Sequence, residues 1–228
     1  MSSRAILGEI HCHSTASDGQ LPPLDLVRLA KRKGLGVLAV TDHNTWRGSI
    51  LADRARRLVG GPLVVFGNEV RTEYGDVLVL CPEPGSGEPR GLRELREWAD
   101  ENGCVLVAAH PFHVGRSSVG PRVRELLDVF DAIEVWNARG IPLLNLPAMR
   151  LAEKAGKPGT SGSDAHTPRE LGVAPIVLPG EPRGPGEVLE WIRRGMVRPT
   201  LGLPGPLTVA GIVAWSLARR LGHAPGRG

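Results

Sequence analysis

Two histidines separated by one residue, His11 and His13, follow the apolar run Ala5-Ile6-Leu7. Side chains alternate faces along a strand, so both imidazoles point one way and Cys12 points the other. Paired imidazoles at a strand end suit a divalent transition metal. The theme returns downstream, where Asp18, Asp42-His43, Glu69, His110, and Asp164 with His166 stand just after apolar runs or in the turns that follow them. His11, His13, His43, His110 and His166 account for five of the chain's 7 histidines.

Taken singly, each residue has an ordinary explanation. Asp18 before Gly19 suits a turn, Asp42-His43-Asn44 and Ser163-Asp164 suit helix caps, and His110 before Pro111 suits a loop. Their recurrence at matching positions favours one shared metal site. So many imidazoles and carboxylates in one bowl need cations among them. The mixed donor set fits manganese, iron or zinc better than calcium or magnesium. Eight ligands exceed one tetrahedral ion, so two or three divalent metal ions are expected, bridged by a carboxylate such as Glu69.

The elements that must position these residues alternate. Apolar runs at 5–7, 37–40, 63–66, 76–80, 105–109, 132–136, 159–163 and 173–178 read as strands. Helical periodicity falls between them, at about 23–34, 46–58, 92–102, 123–127, 144–155 and 187–194. Alternation of this kind predicts a parallel sheet wrapped by helices, an α/β barrel with polar strand ends gathered at one mouth. Residues 1–202 are expected to form the barrel. Residues 203–228 are expected to form a final helix and frayed tail packed on the same domain, with Arg219, Arg220 and His223 near the helix end. Leu207 to Leu217 is too short to span a bilayer.

The chain of 228 residues carries a net charge of +4, nearly all of its positive charge as arginine. No dense basic run marks a nucleic-acid surface, and the expected partner is a small phosphorylated substrate, with a nucleotide or oligonucleotide among the candidates. An odd count of 3 cysteines, in apolar runs or beside the histidine pair, argues against a disulfide framework and for a cytoplasmic location. No charged-then-apolar leader opens the sequence.

His11-Cys12-His13-Ser14 with Ser17-Asp18-Gly19, then Thr41-Asp42-His43-Asn44, Gly67-Asn68-Glu69, His110-Pro111 and Ser163-Asp164-Ala165-His166, resemble in order the PHP (polymerase and histidinol phosphatase) domain family. The resemblance implies a distorted (β/α)7 barrel and a trinuclear site hydrolysing phosphate esters. It also implies His11, His13, Glu69 and Asp164 on one metal, and Glu69 bridging to a second held by His110. Asp18, His43 and His166 would hold the third. Glu9 stands where the family more often has Asp, and shares the face of His11. Asp76 stands where some members have a ligand histidine, so either Asp76 replaces it or the second metal is weakly held.

The expected mechanism is attack on phosphorus by a hydroxide whose pKa the metals lower. No glycine-rich phosphate loop or nucleophilic Ser or Cys elbow competes with that reading. Asp42 and His113, the latter as general acid, are the candidate catalytic residues, and Arg116, Asn137 and Arg139 the candidate substrate-binding residues; Asp42 and Asn137 are expected to act by supporting the metal ligands or positioning substrate. Two other readings keep the metals: an amidohydrolase-like hydrolase of C–N or ester bonds, and a non-catalytic metal-binding regulatory module.

Overall fold

The computed structural model describes residues 5–114 and 117–222. In chain order it contains β1 (Ile6–Glu9), α1 (Pro23–Arg32), β2 (Leu35–Val40), α2 (Arg47–Val59), β3 (Leu63–Arg71), β4 (Asp76–Cys81), α3 (Leu92–Glu101) and β5 (Val105–Ala108). There follow β6 (Ala132–Asn137), α4 (Leu146–Ala155), β7 (Gly159–Gly162), β8 (Ile176–Leu178), α5 (Pro185–Arg193), β9 (Arg198–Pro199) and α6 (Pro206–Arg220). The helix expected around Val123 is a 3-10 turn, Gly120–Arg124.

The strands form one sheet in the order β7-β6-β5-β4-β3-β2-β1-β8-β9. The ring closes at its mouth, where the residues after β1 meet those after β7. Cys12 bridges Ala165 in parallel, and His13 N donates to Ala165 O at 2.8 Å. Lower down, β8 and β9 fill the gap between β1 and β7. The fold is a nearly closed α/β barrel.

One expectation needs correction, because the sheet is not wholly parallel. β4 runs antiparallel to both β3 and β5, and β8 antiparallel to β1. Only four residues, Thr72 to Gly75, join β3 to β4, too few for the crossover a parallel pair requires. The reversal sets the first residue of β4, Asp76, at the mouth opposite Arg71.

Strand periodicity divides the core. Val37 and Ala39 of β2, Leu78 and Leu80 of β4, and Val105 and Val107 of β5 face one interior cluster, sealed by Val188, Leu189 and Ile192 of α5. Their neighbours face outward, Leu38 and Val40 under α1 and α2, and Val77, Val79 and Leu106 under α3. Cys12 packs outward with Leu26 and Leu38, away from the histidines, as alternation predicts.

The cysteine expectation is also corrected. Cys81, which ends β4, and Cys104, just before β5, lie 4.2 Å apart at Cα and form a disulfide. The antiparallel pairing of these strands brings the two ends together, although 23 positions separate them. Among the described residues no helix is long and apolar enough to cross a membrane. Helix α6 has one half-buried side, including Ile212 and Trp215, while none of its residues is fully buried and Leu207, Val213 and Leu217 face solvent. His223 and the tail after it lie outside the described residues.

Glu9 clamps the closed ring. Its Oε1 accepts the backbone N–H groups of His11 and Ser163, each at 3.1 Å, and its Oε2 that of Gly172 at 3.0 Å. Burial pushes this carboxyl above its ordinary range while the hydrogen bonds from Ser163, His11 and Gly172 pull it back. Glu9→Ala would strand three buried donors and is expected to lower unfolding free energy by about 3 kcal/mol. Urea denaturation of metal-stripped protein checks this, and an unchanged midpoint would contradict it.

Candidate metal centre

Glu69, near the end of β3 and fully buried, is the hub. Its Oε1 lies 3.1 Å from His110 Nε2 and 3.5 Å from His11 Nε2. Its Oε2 lies 3.0 Å from His43 Nδ1 and 3.3 Å from His13 Nε2. Four overlapping groups of donors result: His11, Glu69 and His110; His11, His13 and Asp164; His13, Asp18, His43 and His166; and His43, Glu69 and Asp76. All eight ligands expected from the sequence therefore converge, although strands and loops far apart in the chain supply them.

The donor chemistry fits divalent metals. His11 Nε2 and both ring nitrogens of His13 are buried without a hydrogen-bond partner among the described residues. An orphaned buried nitrogen costs free energy unless something accepts its lone pair. His13 Nε2 instead faces carboxylate oxygens of Glu69 at 3.3 Å and Asp164 at 3.4 Å, an arrangement suited to ligands sharing a cation.

A second layer aims these donors. Glu134 Oε1 sits 2.8 Å from His11 Nδ1, which leaves Nε2 for the cluster. Its Oε2 accepts the backbone N–H of His110 at 2.7 Å and the Asn137 amide at 3.0 Å. Asp164 O lies 2.9 Å from His166 Nδ1, freeing that Nε2 to face Asp18 at 3.2 Å. Gly162 lets His11 and Glu134 meet, because a Cβ there would strike both side chains. Among the described residues, the non-glycine positions with positive φ are Asn44, His110 and Asp164, all at this mouth.

Electrostatics follow from crowding. Burial alone would depress His43, but Glu69, Asp18 and Asp76 overcome it and raise its pKa to about 9. Burial, with His166 and His43 alongside, lowers His13 to about 4. Burial would raise Glu69, yet His43 and His11 hold it well below its ordinary value. Asp18 is likewise lowered, against the pull of burial, by His166, His13 and His43.

The remaining candidates among the described residues sit around the donors. Asp42 makes positioning contacts. Its carboxylate accepts Ser14 N at 2.7 Å and the hydroxyls of Ser14 and Ser17 at 2.5 Å, so it fixes the turn that carries Asp18. Arg139, half-buried, pairs with Glu170, whose other oxygen accepts His166 N at 3.1 Å and Thr167 N at 2.7 Å, and it also lines a cavity beside His113. Asn137 spans Glu134 and Asp164 and orients ligands. His113 lies behind His110, its ring centroid 6.2 Å away, with Nε2 2.9 Å from Asn145 Oδ1. Asp76 is buried, and Arg71 grips both its oxygens, at 2.9 and 3.2 Å. Arg116 lies outside the described residues.

Sequence reading missed Glu134, Glu170 and Arg219. A glutamate inside the apolar run 132–136 was the available signal for Glu134. Arg219 Nη1 lies 2.5 Å from Asp18 Oδ2, and Trp215 Nε1 donates to Asp18 O at 3.1 Å, so α6 is tethered across the mouth. Nothing in helix periodicity foretells either contact.

Two predictions arise. His43 binds its proton below a pKa of about 9, and a metal needs the neutral imidazole. Metal uptake at pH 7 should therefore release a proton and strengthen as pH rises towards 9. Calorimetry in buffers of different ionisation enthalpy checks this, and equal heats in both would refute it. Second, a Cβ at Gly48 would strike the Asp42 carboxylate and the Ser14 hydroxyl. Gly48→Ala should cost about 1–3 kcal/mol and speed amide exchange across residues 14–18.

With this geometry in view, comparisons with known proteins are informative. A family described as PHP-associated matches residues 142–197. An uncharacterised protein of Methanocaldococcus jannaschii is 34% identical over 118 residues, 51% of this chain and 66% of that protein. A 5'-3' exoribonuclease of Haemophilus influenzae is 46% identical over 66 residues, 29% of this chain and 24% of the nuclease. The chain thus aligns with only part of each relative. A crystal structure of a two-domain protein from Bacteroides vulgatus, containing a predicted PHP-like metal-dependent phosphoesterase, superposes with a TM-score of 0.70 at 18% identity, covering 87% of this chain and 65% of that one. The PHP-associated match and the shared fold make this chain similar to PHP-domain proteins.

Proposed function

We propose that the chain is a metal-dependent hydrolase of phosphate mono- or diesters, working through two or three divalent ions, manganese, iron or zinc. The observation that carries this reading is the convergence on Glu69 of His11, His13, His43 and His110, with Asp18, Asp164 and His166 alongside. His11, His13, Glu69, His110 and Asp164 would hold metal on one side of the bowl, and Asp18, His43 and His166 on the other. Bound there, divalent ions would lower the pKa of water towards neutrality and absorb charge developing on phosphoryl oxygens.

The chain's own residues supply position. Glu134 and Asn137 set the tautomer of His11 and the direction of Asp164. Asp42 holds the Asp18 turn, and the Arg139–Glu170 pair holds the loop of His166. We assign His113 as proton donor to the leaving group, since it lines a cavity of about 580 Å³ walled by Ile141, Leu144, Leu203, Val209 and Ile212. An apolar leaving group would fit that wall.

The test pairs elemental analysis with hydrolysis of p-nitrophenyl phosphate and bis-p-nitrophenyl phosphate in added manganese. Two or more metals per chain are expected, with kcat falling at least 100-fold in His11→Ala and Asp164→Ala. Glu134→Gln should weaken metal affinity about 10- to 100-fold. Less than one metal per chain, or turnover indifferent to these changes, would overturn the reading.

A further inference from the structure

A cavity of about 1000 Å³ opens directly onto Asp18 and His43. Thr15, Ala16, Ser17, Asn44 and Thr45 line its floor, and Arg47, Arg90 and Arg219 line its rim. Asp18 is the one acid among the lining residues. The three arginines come from separate parts of the chain: the first turn of α2, the loop before α3, and the last turn of α6.

Each arginine is delivered by built structure. Asn44, held at a positive φ of 53° directly after His43, accepts from Arg90 Nη1 at 3.0 Å and from the backbone N–H of Arg71 at 3.0 Å. The loop carrying Arg90 is pinned by Glu88, which accepts from Trp46 Nε1 at 2.9 Å and Asn68 Nδ2 at 2.8 Å. Arg47 follows on from the same segment, its backbone N–H bonded to Thr45 Oγ1 at 3.2 Å. Arg219 is drawn in by Asp18, and Trp215 anchors the preceding turn of α6.

Two of the three charges have no carboxylate beside them. Among the described residues neither Arg47 nor Arg90 has a carboxylate partner, whereas Arg56, Arg57, Arg71, Arg93, Arg96, Arg139, Arg183 and Arg194 all do. The one carboxylate that meets Arg219 here belongs to the donor cluster. Guanidinium groups without a carboxylate partner, as at Arg47 and Arg90, suit phosphate oxygens at a concave mouth.

We propose that Arg47, Arg90 and Arg219 form an anion-binding rim that holds a second phosphate of the substrate, beside the one being cleaved. The inference rests on the phosphoesterase reading and narrows it to substrates with at least two phosphate groups. That chemistry is shared by a small bisphosphorylated molecule and by a nucleic-acid strand. Helix α6, none of whose residues is fully buried, supplies one wall of the site through Arg219.

The experiment measures binding to full-length, manganese-loaded protein by calorimetry, using probes that resist hydrolysis. These are methylphosphonate, diphosphonates with one- and three-carbon spacers, and a phosphorothioate-linked oligothymidylate. Metal content is recorded for every variant, so that lost ions are not read as a lost rim. The readout is the ratio of affinities for diphosphonate and methylphosphonate, which metal binding alone does not change between variants. Arg47→Ala with Arg90→Ala, and separately Arg219→Ala, should each lower that ratio about tenfold. Arg28→Ala with Arg183→Ala, which removes equal charge on surfaces away from the mouth, should leave it unchanged. For the oligothymidylate, the Arg47/Arg90 double variant should flatten the slope of log K against log salt by about 1.4.

If the three-carbon diphosphonate gains most from the arginines, the source is a small molecule; if the oligothymidylate does, it is a strand. A ratio unmoved in the rim variants, or lowered equally in the control, overturns the proposal. An arginine-dependent ratio without hydrolysis of any phosphate ester would instead refute the catalytic reading and leave the rim standing.

Discussion

The parallel bridge between Cys12 and Ala165 is the constraint from which the site follows. It joins the segment after the first strand to the segment after the seventh, carrying His11 and His13 against Asp164 and His166. Without it the ring would stay open at the mouth, and the donor set would split between two sheet edges. Glu9 secures the join with three backbone hydrogen bonds from both sides of the seam. A buried carboxylate is an expensive fastener. Its use here makes sense because it satisfies three amides that the short bridge leaves to it.

Closure creates an electrostatic problem that the second layer manages. Imidazoles and carboxylates held within a few ångströms shift one another's protonation in opposite directions, as the raised His43 and lowered His13 illustrate. Such a cluster would relax apart if its side chains were free to turn. Glu134, Asn137, Asp42 and Glu170 prevent this, each spending its hydrogen bonds on a ligand or a ligand's backbone. The left-handed backbone at Asn44, His110 and Asp164 is strain of the same origin, about 1–3 kcal/mol each, held by surrounding bonds. It aims side chains where an unstrained strand end would not.

What the sequence reveals and conceals follows from how local each feature is. His11 and His13 are legible because a two-residue period fixes their shared face. His43, His110 and Asp164 are legible because each ends an apolar run. The reversed fourth strand was hidden because an apolar run has no direction; only the short Thr72–Gly75 link carried that information. The Cys81–Cys104 bond depends on the same reversal, so it was hidden with it. The partners of Arg139 and Asp42, Glu170 and the Ser14–Ser17 turn, were not legible, because the closed fold supplies them. Arg219 was least legible, because its partner Asp18 lies some 200 positions away.

The charges also sort by depth. Carboxylates and imidazoles occupy the floor of the bowl, while Arg47 and Arg90, without carboxylate partners among the described residues, and Arg219, paired with Asp18, stand around its edge. A bare carboxylate floor repels phosphate; a floor neutralised by cations accepts it, and the rim then adds attraction from outside. The Arg219–Asp18 pair joins the two layers. On the proposed metal reading, a cation taking Asp18 as a ligand would compete with that guanidinium for the carboxylate. Asp18 thus links the donor cluster to the rim, and Trp215 Nε1, donating to Asp18 O at 3.1 Å, ties α6 to the same residue.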